Sequence, residues 1–381
     1  MSLGIVQGTP TQFDEPFYRY LARETRLRFV VYYYNASESM VKDDPEMGRR
    51  VGWSTTADRG YLAVFSKGTS PSRFARQVVQ ANHDLIVISG FSEPHARRTA
   101  IAARLHGTPT GLRSDNVLPR HGGRGRRWWA KRLFYPLLFK LYRTAHPVGD
   151  LAADYLTSFG FRKESVFRFP YGVDHAWFAQ ESSAARADLP SLRASWGLAA
   201  TGPVICGVMK FSEREDPLTL MHAFRSARQR IPGLNLLLVG DGPLRTQVQE
   251  AAGDQLGKSI ALPGYQPYAK LPQVYAASDL FVHTASGAWE VSVNEALACG
   301  LPVITSDAVG AAHELVVPHN FGYTFRRADA PALAARIVDV LGDAALLARV
   351  RQEGFRSLTE WDYPATAKRL VGAVRFATQA S

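Results

Sequence analysis

Apolar and polar positions alternate along this chain in blocks that read as strand, helix, strand, and do so twice. In the first half, residues 4–7, 29–33, 84–88 and 109–112 are short apolar runs bounded by glycine, proline or polar residues, the pattern of strands buried on both faces. Between and after them, residues 16–24, 72–81, 94–105 and 150–159 read as helices, and Val166 to Phe169 leads into a turn-forming stretch from Pro170 to Asp174. The pattern then dissolves. Residues 179–192, rich in Ala, Ser, Arg and Asp and holding Pro190, read as a linker. Strand-like runs resume at 203–208 and continue through 234–239, 259–262, Leu280–His283, 302–305 and Gly322–Phe325. Such alternation predicts an α/β chain with parallel sheets covered by helices on both faces. The expected organisation is a domain over 1–180, a linker over 181–202, a second domain over 203–360 and a closing helix over 361–381. Two such domains facing one another leave a cleft, a preferred place for a ligand.

Residues 281–307, FVHTASGAWEVSVNEALACGLPVITSD, are the most informative stretch. They read as strand, polar loop, short helix, glycine stop at Gly300 and strand. In an open α/β sheet the loop lies at the carboxyl end of a parallel strand, where ligands bind, and the helix start turns its unpaired N–H groups toward that place. Glu295, on the helix, is suited to grip ribose hydroxyls. The plainer alternative is an ordinary βαβ crossover in which Glu295 only favours the helix start.

Charge and cysteine usage narrow the picture. Residues 1–180 hold 26 of the 45 Lys and Arg but 15 of the 34 Asp and Glu, so the entire net charge of +11 belongs to them. That asymmetry points to an anionic partner for the first domain. The densest basic run, residues 120–143, opens on Arg120, closes on Arg143 and reads RHGGRGRRWWAKRLFYPLLFKLYR. Tryptophans beside basic residues suit an anionic membrane surface; a core helix with a solvated basic face, interrupted near Pro136, is the other reading. No recognised nucleic-acid motif or stacking platform supports DNA or RNA as a partner. Cys206 and Cys299 are far apart and outside metal-binding or CxxC spacing, so a reducing compartment is expected. The first residues read as a strand, not a signal peptide, and no apolar run approaches the roughly 18 residues of a membrane span. The expected location is cytoplasmic, with peripheral attachment to the inner face of the membrane left open.

Five motifs recur in a fixed order in the second half: GVMKFSEREDPLTLMHAF (207–224), LVGDGPL (238–244), LPGY (262–265), VYAASDLFV (274–282) and NEALACGLPVI (294–304). Together they resemble the donor-binding domain of the family-4 retaining glycosyltransferases, also called group 1, which have the GT-B architecture of two Rossmann-like domains facing across a cleft. The first half resembles the acceptor domain less closely, through FPYGVD (169–174) and the helix before it. The resemblance implies a hexose-like sugar moved from a nucleotide diphosphate sugar to a glycan or lipid-linked acceptor. It implies no cofactor beyond that co-substrate and no metal, and the chain shows no DxD placed as a metal loop; Asp241-Gly242 and Asp43-Asp44 read as turns.

A breaking glycosidic bond needs fixed cations and backbone donors beside the departing diphosphate. By resemblance Lys210 is the first cation. Where the family has a second lysine this chain has Glu215, and Arg214 is the expected substitute. Val291, Ser292 and Val293 would offer backbone N–H groups, Glu295 would hold the ribose, and Gly264 and Tyr265 would lie against the base. The sugar end departs from the family. Its first glutamate, eight positions before Glu295, is replaced by Gly287, and a glutamate stands at Glu290 where glycine is usual. Either Glu290 reaches the donor sugar or the usual contact is missing. Asp115 falls near the family's sugar-contacting histidine, or caps a turn. The loop at Gly8 and Thr9 is a candidate for acceptor or phosphate, or a plain βα turn. The expected reaction is front-face attack by the acceptor hydroxyl, with the departing phosphate taking its proton. Two alternatives are a nucleotide-sugar epimerase, disfavoured by the NEALACGLPVI match, and a catalytically silent glycosyltransferase-like subunit, for which Gly287 and Glu215 argue.

Overall fold

The computed structural model describes residues 1–36, 41–44, 49–52, 60–118 and 126–379. They form two compact units, one of Met1–Val41, Gly52–Val173 and Trp361–Ser381, the other of Lys42–Val51 and Asp174–Glu360.

Strands β1 (Ser2–Gln7), β2 (Arg28–Tyr33), β5 (Ala63–Phe65), β6 (Leu85–Ser89), β7 (Thr110–Ser114) and β8 (Thr144–Pro147) build the sheet of unit 1 in the order β5-β2-β1-β6-β7-β8, while β3 (Val41–Asp44) and β4 (Arg49–Gly52) pair separately. Asp43 and Asp44, expected in a turn, therefore end a strand. Each neighbouring pair in the six-stranded sheet is parallel. Successive residues serve opposite faces, as strand geometry requires. Leu3, Ile5, Leu85 and Val87 enter one apolar layer, whereas Val6, Ile86 and Ile88 enter the other. The closing helix Tyr363–Thr378 covers the first layer with Tyr363, Leu370 and Val374, and Tyr363 lies 5.5 Å from the Phe17 ring.

Unit 2 repeats the plan with β9 (Val204–Val208), β10 (Asn235–Val239), β11 (Ile260–Gly264), β12 (Leu280–His283), β13 (Val303–Ser306) and β14 (Gly322–Phe325), ordered β11-β10-β9-β12-β13-β14 and parallel throughout. Numbered along the chain, both sheets have the order 3-2-1-4-5-6, the Rossmann arrangement, so the expectation of two Rossmann-like parallel sheets holds. The order reverses between β1 and β6 in one unit and between β9 and β12 in the other. Loops leaving the carboxyl ends of those strands border the crevice where such sheets bind ligands.

Two expectations are corrected. Residues 181–202 are not an irregular linker: the helices His175–Ala185 and Leu189–Ser195 run through most of them and belong to unit 2. Arginine guanidinium groups anchor them. Arg186 donates to the carbonyls of Ala276, Cys299 and Tyr275, while buried Arg193 donates to those of Ala277 and Gly202 and to Asp279 at 2.8 Å. A composition that looks unstructured thus conceals long-range anchors. Nor does Pro136 interrupt its helix, which runs as Arg126–Phe139 with the proline inside it. Arg120, at the start of the basic run, lies outside the described residues.

Candidate functional site

At the switch point of unit 2, the loop after β9 meets the loop after β12. Thr284 Oγ1 ties them by donating to the carbonyls of Glu215 (2.6 Å) and Asp216 (2.8 Å). Behind the first loop, a Cβ on Gly240 would stand 1.8 Å from the Met209 carbonyl and one on Gly242 would stand 2.6 Å from that of Phe211. Only glycine lets the 240–242 turn pass so close, and the Phe211 amide donates to the Asp241 carbonyl across it (2.9 Å). Lys210 emerges half-buried from this support.

Glu215 does not leave a gap in the cationic row. Its buried carboxylate accepts the Lys210 amide (2.6 Å) and Arg214 Nη2 (2.5 Å), so it fixes the loop that carries both cations. Burial raises its pKa above the ordinary range. Arg214 is 38% exposed; its Nη1 donates to Glu290 Oε1 (2.7 Å) and to the Ser286 carbonyl (3.3 Å). The guanidinium therefore bridges two carboxylates from the two loops.

Glu290 occupies the room left at Gly287. A Cβ built on Gly287 would lie 1.9 Å from Glu290 Oε1, so the Glu290 carboxylate fills the space into which a side chain at position 287 would project. To do this Glu290 adopts φ +74°, a left-handed conformation costly for a side-chain-bearing residue. Burial pushes its carboxyl upward, but buried His283, with Nε2 at 3.4 Å from Oε2, and Arg214 outweigh that and hold the pKa at about 2. The group is an anion at every physiological pH. Gly287 and Gly310 brace this loop: the Gly310 amide donates to the Gly287 carbonyl (3.0 Å), and a Cβ on Gly310 would meet the Ala288 carbonyl at 1.8 Å.

The helix after the loop is Ser292–Ala298. Its Val293 amide is occupied by the Glu290 carbonyl (3.2 Å), which removes it from the expected trio of diphosphate donors; the first amides of a helix, here those of Val291 and Ser292, have no acceptor within it. Glu295 is buried and its Oε2 accepts the Tyr275 hydroxyl (2.7 Å). Burial lifts its pKa to about 7, against the opposing pull of that hydrogen bond. Gly264 closes β11 at φ +80°, its carbonyl taking the Gly240 amide (3.1 Å), and half-buried Tyr265 follows.

Gly8, Thr9 and Asp115, far apart in sequence, come together in unit 1. With Phe13, Ser89, Arg113 and Tyr171 they line a cavity of about 340 Å³ at the carboxyl ends of β1, β6 and β7. Tyr171 donates to Asp115 Oδ2 (2.8 Å), which fixes the carboxylate at the cavity wall. Arg113 is the buried centre of the wall. Its guanidinium donates to Asp14 (3.0 Å) and to the carbonyls of Phe169 (3.1 Å) and Pro170 (2.8 Å), and lies 3.9 Å from the Phe169 ring centroid.

Sequence reasoning thus named Lys210, Arg214, Glu290 and Glu295 in unit 2 and Gly8, Thr9 and Asp115 in unit 1. It missed Glu215 as a brace, His283 and Tyr275 as partners of the Glu290 and Glu295 carboxylates, and Arg113. Two of these had a signal. His283 ends the strand that feeds the loop, and Arg113 directly follows the run read as a strand over 109–112, at the carboxyl end where open α/β sheets place ligand-facing residues.

Comparison with known proteins agrees with this arrangement. Residues 189–357 match the sequence model of a family described as glycosyl transferases group 1. Over 211 residues the chain is 28% identical to the GDP-mannose-dependent alpha-(1-6)-phosphatidylinositol monomannoside mannosyltransferase of Mycolicibacterium smegmatis, covering 53% of this chain and 54% of that one. Over 162 residues it is 34% identical to a GDP-mannose-dependent alpha-mannosyltransferase of Mycobacterium tuberculosis, covering 41% and 37%. The chain spans about half the length of the curated relatives it matches. Among solved structures, a glycosyltransferase from Rickettsia africae superposes with a TM-score of 0.77 at 13% identity, covering 100% of this chain and 99% of that one. Anabaena HepE, in complex with UDP and glucose, gives 0.72 at 17% identity over 98% and 99%. At those identities the likeness is one of fold.

Proposed function

Because residues 189–357 match the model of the glycosyl transferases group 1 family and the chain has two Rossmann-like units as in GT-B folds, we propose that it is a retaining glycosyltransferase. It moves a hexose-like sugar from a nucleoside diphosphate sugar onto a glycan or lipid-linked acceptor. The observation that carries the reading is the permanently ionised Glu290 carboxylate, set beside Gly287 and bridged by Arg214 at the unit-2 switch point. A silent subunit would have no use for an anion held there at the cost of a left-handed glutamate. The relatives that act with GDP-mannose and the fold neighbour that holds UDP support a nucleotide sugar as donor.

In this reading Arg214, Lys210 and the amides of Val291 and Ser292 face the diphosphate, Glu290 accepts a hydroxyl of the transferred sugar, Glu295 accepts the ribose hydroxyls, and Gly264 and Tyr265 border the base. The unit-1 cavity, with Gly8, Thr9 and Asp115, takes the acceptor. The sugar C1–O bond to phosphate breaks as the acceptor oxygen bonds to the same face of C1, and the acceptor proton passes to the departing phosphate oxygen. Cations and dipoles aimed at that oxygen lower the barrier without a metal. Nucleoside diphosphate release from UDP-, GDP- and ADP-sugars, with and without membrane lipid extract and with a chelator present, tests the proposal. One donor class should be turned over when acceptor is supplied, at a rate the chelator leaves unchanged; no turnover and no binding of any donor would contradict it.

Glu295 gives the site a pH dependence. With its pKa at about 7, the carboxyl is largely protonated in the free protein below neutrality, while two ribose hydroxyls are best accepted by the anion. Donor affinity is therefore expected to fall by up to about tenfold for each pH unit below 7 and to level off above it. A nucleotide sugar is the right probe, since its diphosphate is diester-like and does not titrate in this range. Calorimetric titration should show a flat profile for Glu295→Gln; an unchanged slope would remove Glu295 from the nucleotide site.

A further inference from the structure

The helix Arg126–Phe139 carries apolar side chains on two opposite sides, and among the described residues only one of these is covered. Trp128, Tyr135, Leu138 and Phe139 pack into the apolar layer of unit 1, with the Trp128 and Tyr135 rings 5.7 and 5.4 Å from that of Phe159. On the opposite side Trp129, Leu133, Phe134 and Leu137 form a stripe at helical spacing, each 61–66% exposed. Single exposed apolar residues are ordinary, but four in one stripe ask for an apolar environment that the described residues do not supply. Lys131 and Arg132 on this helix and Lys140 after it are exposed as well, and no Asp or Glu occurs between Asp115 and Asp150.

We propose that this face docks unit 1 onto an anionic lipid bilayer. Trp129, Leu133, Phe134 and Leu137 enter the boundary between headgroups and acyl chains, and Lys131, Arg132 and Lys140 meet the lipid phosphates. The helix lies in the interface: at 14 residues it is about 21 Å long, and no helix among the described residues is long and apolar enough to cross a membrane. Charge decides between occupants. A second copy packed on the same face would set these cations against their like with no carboxylate on the helix to pair them, whereas acidic headgroups complement them. The inference goes beyond the reaction proposed above and does not depend on it, since docking is read without turnover.

Co-sedimentation of the full chain with vesicles tests it, using phosphatidylcholine alone and phosphatidylcholine with an equal part of phosphatidylglycerol. The protein should bind the second far better than the first, and binding should weaken with salt. The variant Trp129→Ser/Leu133→Ser/Phe134→Ser/Leu137→Ser changes only exposed side chains, so it should keep its circular dichroism and melting temperature while losing more than about tenfold in partitioning. The variant Lys131→Ser/Arg132→Ser/Lys140→Ser should lose the preference for phosphatidylglycerol. Equal partitioning of the apolar variant and the unmodified chain would overturn the proposal. So would a vesicle-indifferent chain that sediments as a dimer and becomes monomeric in the apolar variant, since a second copy would then be the occupant.

Discussion

Glu290→Gln is expected to lower turnover by about 100-fold or more while changing donor affinity by less than about threefold. The substitution preserves volume but removes the charge that Arg214 and His283 hold in place. A hydroxyl of the transferred sugar is gripped more tightly by a carboxylate as positive charge grows at C1, so the loss falls on the transition state and not on the bound donor. Glu295→Ala should do the reverse, weakening nucleotide binding first. Steady-state rates together with calorimetric donor affinities separate the two; parallel losses in both variants would deny the division between a sugar end and a nucleotide end. Because Glu290 is ionised with a pKa of about 2, no activity limb near neutral pH should belong to it.

The largest stability effect is expected at Arg113. Arg113 and Asp14 are both 4% exposed and pair at 3.0 Å, and the same guanidinium satisfies the carbonyls of Phe169 and Pro170. Arg113→Met would leave a buried carboxylate and two buried carbonyls without their donor, at an expected cost of about 3–5 kcal/mol. Arg113→Lys should recover little, because one ammonium cannot reproduce a planar fork that reaches three acceptors. Removing both partners, as Arg113→Met/Asp14→Leu, should cost less than the single substitution, since no charge is then stranded. Chemical denaturation followed by circular dichroism reads all three. A loss below about 1 kcal/mol in Arg113→Met would mean that the pair contributes no more than a surface bridge.

Much of this was legible in the sequence where strands are continuous apolar runs. Leu280–His283 coincides with its expected bounds and β9, β10, β11 and β13 differ by one or two residues, because strands this buried are apolar nearly throughout; Gly322–Phe325, a partly exposed edge strand, coincides through its flanking turn residues. In the six-stranded sheet of unit 1 the strands that escaped notice, Ala63–Phe65 and Thr144–Pro147, are short, one of them mixed in character, and both lie at sheet edges; the separate polar pair Val41–Asp44 and Arg49–Gly52 escaped as well. The anchored helices at 175–195 escaped because their stability comes from arginines that reach carbonyls about a hundred positions away. The site divides in the same manner. Ordered motifs placed Lys210 and Glu295, whereas the role of Glu215, the Tyr275 partner and the Arg113–Asp14 pair are contacts across 5, 20 and 99 positions that no local pattern records. Whether Glu290 stands in for the glutamate missing at Gly287 is a question the sequence poses and leaves open. We propose that the two departures are one: a carboxylate displaced by three residues, with glycine at 287, where the Glu290 carboxylate takes the space of a side chain, and a glutamate at φ +74° where glycine would be at ease.

That displacement is the central claim, and moving it back tests it. Gly287→Glu alone would collide with the resident Glu290 carboxylate, and Glu290→Gly alone would relieve the φ of +74° but leave the site without its anion. Both single variants should be at least about 100-fold slower than the unmodified chain. The transposed variant Gly287→Glu/Glu290→Gly places the carboxylate on the other residue and should recover turnover to within about tenfold, with a melting temperature no lower than that of the unmodified chain. A transposed variant as slow as the worse of the two singles would contradict the account.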